Sequence, residues 1–258
     1  MKYIVAADTD IGISKNINQD SLCVKIADTD IGKVALFLVC DGMGGLSKGE
    51  VASAAVVKSF SDWFDNELPY EINSWDWNKA KSNVELRLRK LNSEIVAYGK
   101  RLKLQSGTTA TGVIAVNSRY LSFHVGDCRL YKISYELQQM TEDHTFINDE
   151  IKSGRMTYEQ AQNDCRRNAI TQCIGVNNNI NPVIETGTIE TGVNYLICTD
   201  GFRHVITENE IFDNLSSGRI TTKSSMQAKI RELIELNKLR NEHDNISALM
   251  FRAEPYNN

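Results

Sequence analysis

VCDGMGGLSKGE, Val39–Glu50, follows the apolar run KVALFLV and leads into an amphipathic stretch. An Asp-Gly after a strand is ordinary hairpin punctuation, but no second strand follows. Val51, Ala55, Phe60 and Phe64 lie along one helical face, so the loop joins a strand to a helix. Gly42, Gly44 and Gly45 let the backbone turn sharply and approach something closely. Asp41, held at the strand end, is a candidate ligand if partners converge on it.

Composition narrows what those partners serve. The chain has 258 residues, 41% of them hydrophobic, which suffices for a substantial core. A formal net charge of -4 argues against nucleic acid as a partner. Cys23, Cys40, Cys128, Cys165, Cys173 and Cys198 are scattered, without a Cys-x-x-Cys pair. They read as reduced core residues, not as a disulfide frame or zinc site. The N-terminus MKYIVAADTDIG has no hydrophobic signal core, and no apolar run reaches bilayer length, so a cytoplasmic protein without membrane contact is expected.

Strand-like runs occur at YIVAA, SLCVKIA, KVALFLVC, TATGVIAV, YLSFHVG, CRLYKI, NYLICT and ISALMF. Helical periodicity appears at Val84, Leu88, Leu91 and Ile95, and at Met226, Ile230, Leu233 and Ile234. Short gaps join consecutive strands while the helices come in groups. That order predicts an α+β fold of mainly antiparallel sheets flanked by helices, in one domain over 1–258.

Acidic residues recur at the strand edges. Asp41 and Asp200 follow apolar strands, Asp127 lies between two, and Asp20 and Asp244 precede others. Each alone reads as a turn residue. Together, if they converge, their mutual repulsion calls for a cation, and oxygen-only ligands favour Mg or Mn over Zn. His124, His144, His204 and His243 show no paired ligand spacing, and His124 reads as a packed or hydrogen-bonded strand residue.

The segments TDIGISKNINQDS, VCDGMGG, SGTTATGVIAV, HVGDCRLYKI, MTEDHT, RNAITQCIG, ICTDGF and HDNIS run in order from Asp10 to Ser247. In them the chain resembles the metal-dependent protein Ser/Thr phosphatases, protein phosphatase type 2C, in their bacterial single-domain form. The resemblance implies a four-layer α-β-β-α sandwich with two Mn2+ or Mg2+ ions, and a weaker third, at one edge of the sheets. It implies that Asp41 bridges the two ions and that the Gly42 carbonyl contacts the second. By the same resemblance Asp200 and Asp244 complete the first ion's shell, Asp20 holds metal-bound waters, and Asp127 with Asp200 takes the third ion. Asp41, Asp200 and Asp244 are then the catalytic acids. The resemblance further implies hydrolysis of phosphoserine or phosphothreonine by a metal-bridged water without a phosphoenzyme. Implied partners are phosphoproteins made by a bacterial Ser/Thr kinase, or that kinase itself.

Competing phosphatase designs are not visible: no cysteine is followed six residues later by arginine, so a thiolate nucleophile lacks its phosphate loop. Two positions depart from common family usage. Lys15 falls where many members carry the arginine that grips the substrate phosphate, and Gln19 replaces a common Glu. Met43 stands where eukaryotic members often carry a His, as is usual in bacterial ones. Lys15 and Gln19 keep open a second reading, a weak or inactive metal-binding module that recognises phosphoproteins. Residues 145–168, TFINDEIKSGRMTYEQAQNDCRRN, resemble the family's flap. They read either as a mobile lid that helps choose substrates or as a helical hairpin with Lys152, Arg155, Arg166 and Arg167 on a solvated face. Trp63, Trp75 and Trp77 read as helix packing and a capping loop.

Overall fold

The computed structural model describes residues 1–43 and 48–255, the side chain of Gln162 excepted. Gly44 and Gly45, expected to shape the first acidic loop, lie outside the described residues. Ten strands form two five-stranded sheets. The first has the order β1 (Lys2–Asp10), β10 (Ile246–Glu254), β9 (Asn194–Cys198), β6 (Arg129–Ile133), β7 (Leu137–Gln139). The second has the order β2 (Ser21–Thr29), β3 (Gly32–Cys40), β4 (Ala110–Val116), β5 (Arg119–Val125), β8 (Val183–Thr188). Every pairing between these strands is antiparallel.

The period-two pattern of β3 builds the layers. Val34, Leu36, Leu38 and Cys40 face α1 (Gly49–Asn66) and α3 (Trp77–Leu102). Ala35, Phe37 and Val39 face the other sheet, packing with Tyr195, Ile197, Leu249 and Phe251. A strand buried on both faces reads as an unbroken apolar run, which is why KVALFLVC carries no polar alternation. Phe37 stacks on Phe251 at 4.1 Å between ring centroids, joining the two sheets, and Phe251 stacks on Tyr195 of its own sheet at 5.1 Å. On the far side, Met226, Ile230, Leu233 and Ile234 of α7 (Lys223–Leu239) and Ile211 of α6 (Glu208–Leu215) cover the first sheet. The four-layer sandwich follows directly from these three apolar interfaces.

Two expectations need correction. The buried face of α1 is Ala52, Val56, Phe60, Trp63 and Phe64, whereas Val51 is exposed and Ala55 only half-buried. The i, i+4, i+8 row from Ala52 continues through Trp63, so the stripe is turned from the one read off Val51. Cys165 is exposed, unlike the other five cysteines, all free and buried. Trp63 is buried, and Trp75 and Trp77 pack against the same core, as expected. Strands β7 and β8 had no counterpart among the apolar runs. No described helix is long and apolar enough to cross a membrane.

Between β7 and β8 lie α4 (Phe146–Lys152), a short α2 (Leu68–Glu71) having preceded α3, and α5 (Tyr158–Gln162). Thr157 caps α5 reciprocally with Gln160. The segment is tied back where Phe146 N–H donates to the Ala169 carbonyl at 2.8 Å. Three of its cations are paired with acids: Lys152 with Glu142, Arg155 with Glu150, and Arg166 with Asp164.

Candidate active site

Strand register brings the acids together. Ser21 pairs with Cys40, so one step outward sets Asp20 opposite Asp41. Arg129 pairs with Cys198, so two steps outward set Asp127 opposite Asp200. Asp244 stands two residues before β10, whose Ala248 pairs with Cys198 from the other side. All five acids therefore lie at one end of the stacked sheets.

Their backbones are held by specific contacts. Asp41 N–H donates to Thr109 Oγ1 at 2.9 Å, and its carbonyl accepts from Thr109 N–H and Thr108 Oγ1, each at 2.9 Å. Gly42 N–H donates to the Gln19 carbonyl at 3.1 Å. A Cβ at Gly42 would lie 2.4 Å from the Gln19 carbonyl oxygen and 2.6 Å from that of Gly49, so close approach, not turn geometry, requires glycine. Asn245 fastens the loop before β2. Its Oδ1 accepts from Gln19 N–H at 2.9 Å, and its Nδ2 donates to the carbonyls of Ile11 and Ile17.

The carboxylates are poorly compensated. Asp20 Oδ2 accepts from Ser247 Oγ at 2.6 Å and Thr199 Oγ1 at 3.3 Å, while Oδ1 is buried without a partner. Asp127 Oδ1 and Asp200 Oδ1 are likewise buried and unpartnered. Burial, then the charges of Asp200 and Asp244, push Asp20 up to about 7. Asp127 is pushed up to about 7 by burial and by Asp200. Asp41 is raised well above the usual carboxylate range by burial and by Asp20, Asp200, Asp127 and Asp244. The five acids lie close enough at this sheet edge for their charges to repel one another.

Among the described residues, no three His, Cys, Asp or Glu side chains close into a ready-made ion cage. The fit to a cation rests instead on the three orphaned oxygens and the mutual repulsion. Mg2+ keeps several waters and needs only one or two carboxylates. A hard divalent cation would satisfy those oxygens, and the donor set is oxygen-only, as such ions require.

Several neighbours were not singled out by sequence. His204 Nε2 stands 3.2 Å from Asp200 Oδ2, and its Nδ1 stands 3.4 Å from Glu242 Oε2. Burial opposes charge on this ring, but the hydrogen bond to Glu242 and the charge of Asp200 outweigh it, raising its pKa. Glu242 Oε1 in turn accepts from the N–H groups of His243 and Asp244. The Asp-x-x-x-His spacing on the turn Asp200–Phe202 was the available signal. Lys15 reaches the cluster, with Nζ 3.0 Å from Asp244 Oδ1. Gln19 Nε2 donates to Glu50 Oε2 at 3.3 Å, so a carboxylate stands beside the neutral amide. His124 stays out of the cluster: its ring is buried, with Thr111 Oγ1 at 2.8 Å from Nδ1 and the Glu142 carbonyl at 3.0 Å from Nε2.

A family model described as protein phosphatase 2C matches residues 13–241. A putative protein phosphatase 2C-type of Streptococcus pyogenes is 30% identical over 257 residues, covering 97% of each chain. The crystal structure of the serine/threonine phosphatase Stp1 from Staphylococcus aureus superposes with a TM-score of 0.84 at 25% identity, covering 99% of this chain and 96% of that one. The catalytic domain of the serine/threonine protein phosphatase PstP, in complex with 2 manganese ions, gives a TM-score of 0.78 at 25% identity, covering 98% and 99%. With the two-sheet architecture and the acidic sheet edge already in place, these matches assign the chain to the protein phosphatase 2C family.

Proposed function

We propose that the chain is a metal-dependent phosphoprotein phosphatase acting on phosphoserine and phosphothreonine. Residues 1–258 form one catalytic domain, with residues 145–168 as its flap. The observation that carries the reading is the convergence of Asp20, Asp41, Asp127, Asp200 and Asp244, three of them with a buried, unpartnered carboxylate oxygen. Two divalent cations, manganese or magnesium, with a weaker third, would supply an activated bridging water and neutralise charge on the phosphoryl oxygens, so that no phosphoenzyme forms. Asp41 and the Gly42 carbonyl would hold both core ions, Asp200 and Asp244 the first, and Asp127 with Asp200 the third.

The chain's own residues set the geometry. Thr108 and Thr109 lock the Asp41 backbone, and Ser247 and Thr199 orient Asp20 towards the cluster. His204, backed by Glu242, orients Asp200. Lys15, a compact charge at the rim, would exchange its contact with Asp244 for the incoming phosphate once a cation holds that carboxylate. Substrates would be cytoplasmic phosphoproteins made by a bacterial Ser/Thr kinase, the kinase included.

The test is phosphate release from a phosphothreonine peptide. Release should stop with EDTA and return with Mn2+ or Mg2+. Sustained release by fully metal-free protein would overturn the reading.

A further inference from the structure

Gln19, the neutral residue beside Asp20, is fixed by every polar group of its backbone. Its N–H donates to Asn245 Oδ1 at 2.9 Å, and its carbonyl accepts from Ser53 Oγ at 2.6 Å and from Gly42 N–H at 3.1 Å. Ser53 is wholly buried, so α1 is seated directly on this residue. The side chain is fixed from the same helix: Nε2 donates to Glu50 Oε2 at 3.3 Å. The other carboxylate oxygen, Glu50 Oε1, stands 3.6 Å from Lys48 Nζ. The amide lies against the turn that presents the Gly42 carbonyl. A Cβ added at Gly49 would lie 2.7 Å from Gln19 Nε2, 2.9 Å from the Gly42 carbonyl carbon and 3.0 Å from the Met43 backbone nitrogen. Among the described residues, no donor reaches Gln19 Oε1.

A primary amide has two ends of opposite sense, and a half-turn about its last bond exchanges them. A cation needs the oxygen, and the NH2 end would repel it. An ionised carboxylate only accepts, so Glu50 can pair with the nitrogen alone and leaves the oxygen on the opposite side. We propose that Glu50 is a positioning residue for the second cation: it locks the Gln19 amide so that Oε1, directly or through a water, joins the Gly42 carbonyl around that ion. The assignment rests on the metal-dependent reading above. A carboxylate at position 19 would need no such lock, since both of its oxygens accept. Glutamine at 19 and glutamate at 50 therefore act as one unit, with the oxygen at the ion and the formal charge one step behind it. Groups that orient a metal ligand in this way are worth roughly tenfold or more in metal affinity.

The test counts bound manganese by the electron paramagnetic resonance of the free ion, without reference to turnover. The parent should bind two ions in resolved steps, and weakening of one step in Asp244→Asn identifies the first. Glu50→Gln should weaken the second ion about tenfold and leave the first within about twofold, because a second amide can pair with Gln19 in either sense. The retained first ion also reports that the variant is folded. In a Gln19→Glu background, the same Glu50→Gln change should cost the second ion no more than about twofold. An equal cost in both backgrounds would mean that Glu50 acts through its charge or through α1 alone, and would overturn the proposal. So would a Glu50→Gln protein that binds both ions with parental affinity. A parent that binds no manganese would remove the metal-dependent reading, and this assignment with it.

Discussion

Asp20→Asn should stabilise the metal-free protein at alkaline pH. Asp20 is buried, its Oδ1 has no partner, and its pKa is raised from 3.8 to about 7. The folded state therefore holds this proton where the unfolded chain releases it. Stability falls as pH rises through about 4 to 7, and the penalty is complete above that window. At 1.36 kcal/mol per pH unit the penalty is about 4 kcal/mol at most, because neighbouring acids share it. Asparagine keeps an oxygen for Ser247 and Thr199 and carries no charge. For a chain of this size, about 4 kcal/mol corresponds to roughly 10 °C in Tm. Thermal unfolding in EDTA should show the variant melting up to that much higher at pH 8 and level with the parent near pH 4. Added Mn2+ should raise the parent's Tm at pH 8 more than the variant's. A variant that melts lower than the parent at pH 8 without metal, or whose difference ignores pH, would refute the reasoning.

Further outcomes follow from the same geometry. Asp41→Asn and Asp200→Asn should cost the most turnover, Asp244→Asn should be partly rescued by excess Mn2+, and Asp127→Asn should slow turnover while the core ions stay bound; steady-state rates with metal analysis check the order. Lys15→Ala should raise KM for a phosphopeptide more than it lowers kcat at saturating Mn2+, by roughly tenfold or more if a charge-assisted hydrogen bond is lost; an unchanged KM would leave phosphate to the ions alone. Burial, reinforced by His144, lowers His124 to about 4, so its neutral ring favours folding above the unfolded value near 6.5 and that contribution is lost as pH falls towards 4. Replacing His124 with Gln should flatten acid unfolding in that window, read as Tm against pH in EDTA.

The strands that pack on two layers were legible because burial on both faces leaves unbroken apolar runs, as in KVALFLVC. Strand β8 was hidden because it is an edge strand in which Glu185 and Thr186 are both exposed, leaving too few apolar residues to stand out. The turned stripe of α1 shows a different limit: Val51 and Ala52 both fit a helical period, and only the sheet beneath decides which is covered. At the site, acids at strand edges were visible one by one. Their convergence depended on register, which pairs Ser21 with Cys40 across the β2–β3 hairpin and Arg129 with Cys198 between strands far apart in sequence. The residues that position them escaped notice for the same reason. Ser247, Thr199, Asn245 and Glu242 are ordinary polar residues until folding sets them against Asp20, Gln19 and His204. Arg203 lies one residue beyond the motif ICTDGF, and only its buried, half-satisfied guanidinium distinguishes it.

The central claim is that the acidic sheet edge is a divalent-cation centre organised by Asp41. Anomalous diffraction from crystals grown with Mn2+ tests it without reference to turnover. The account predicts two strong peaks within the cluster, both contacting Asp41 and one also contacting Asp200 and Asp244, with both lost in Asp41→Asn. Peaks elsewhere on the molecule, or a cluster that stays free of manganese at saturating concentration, would contradict it.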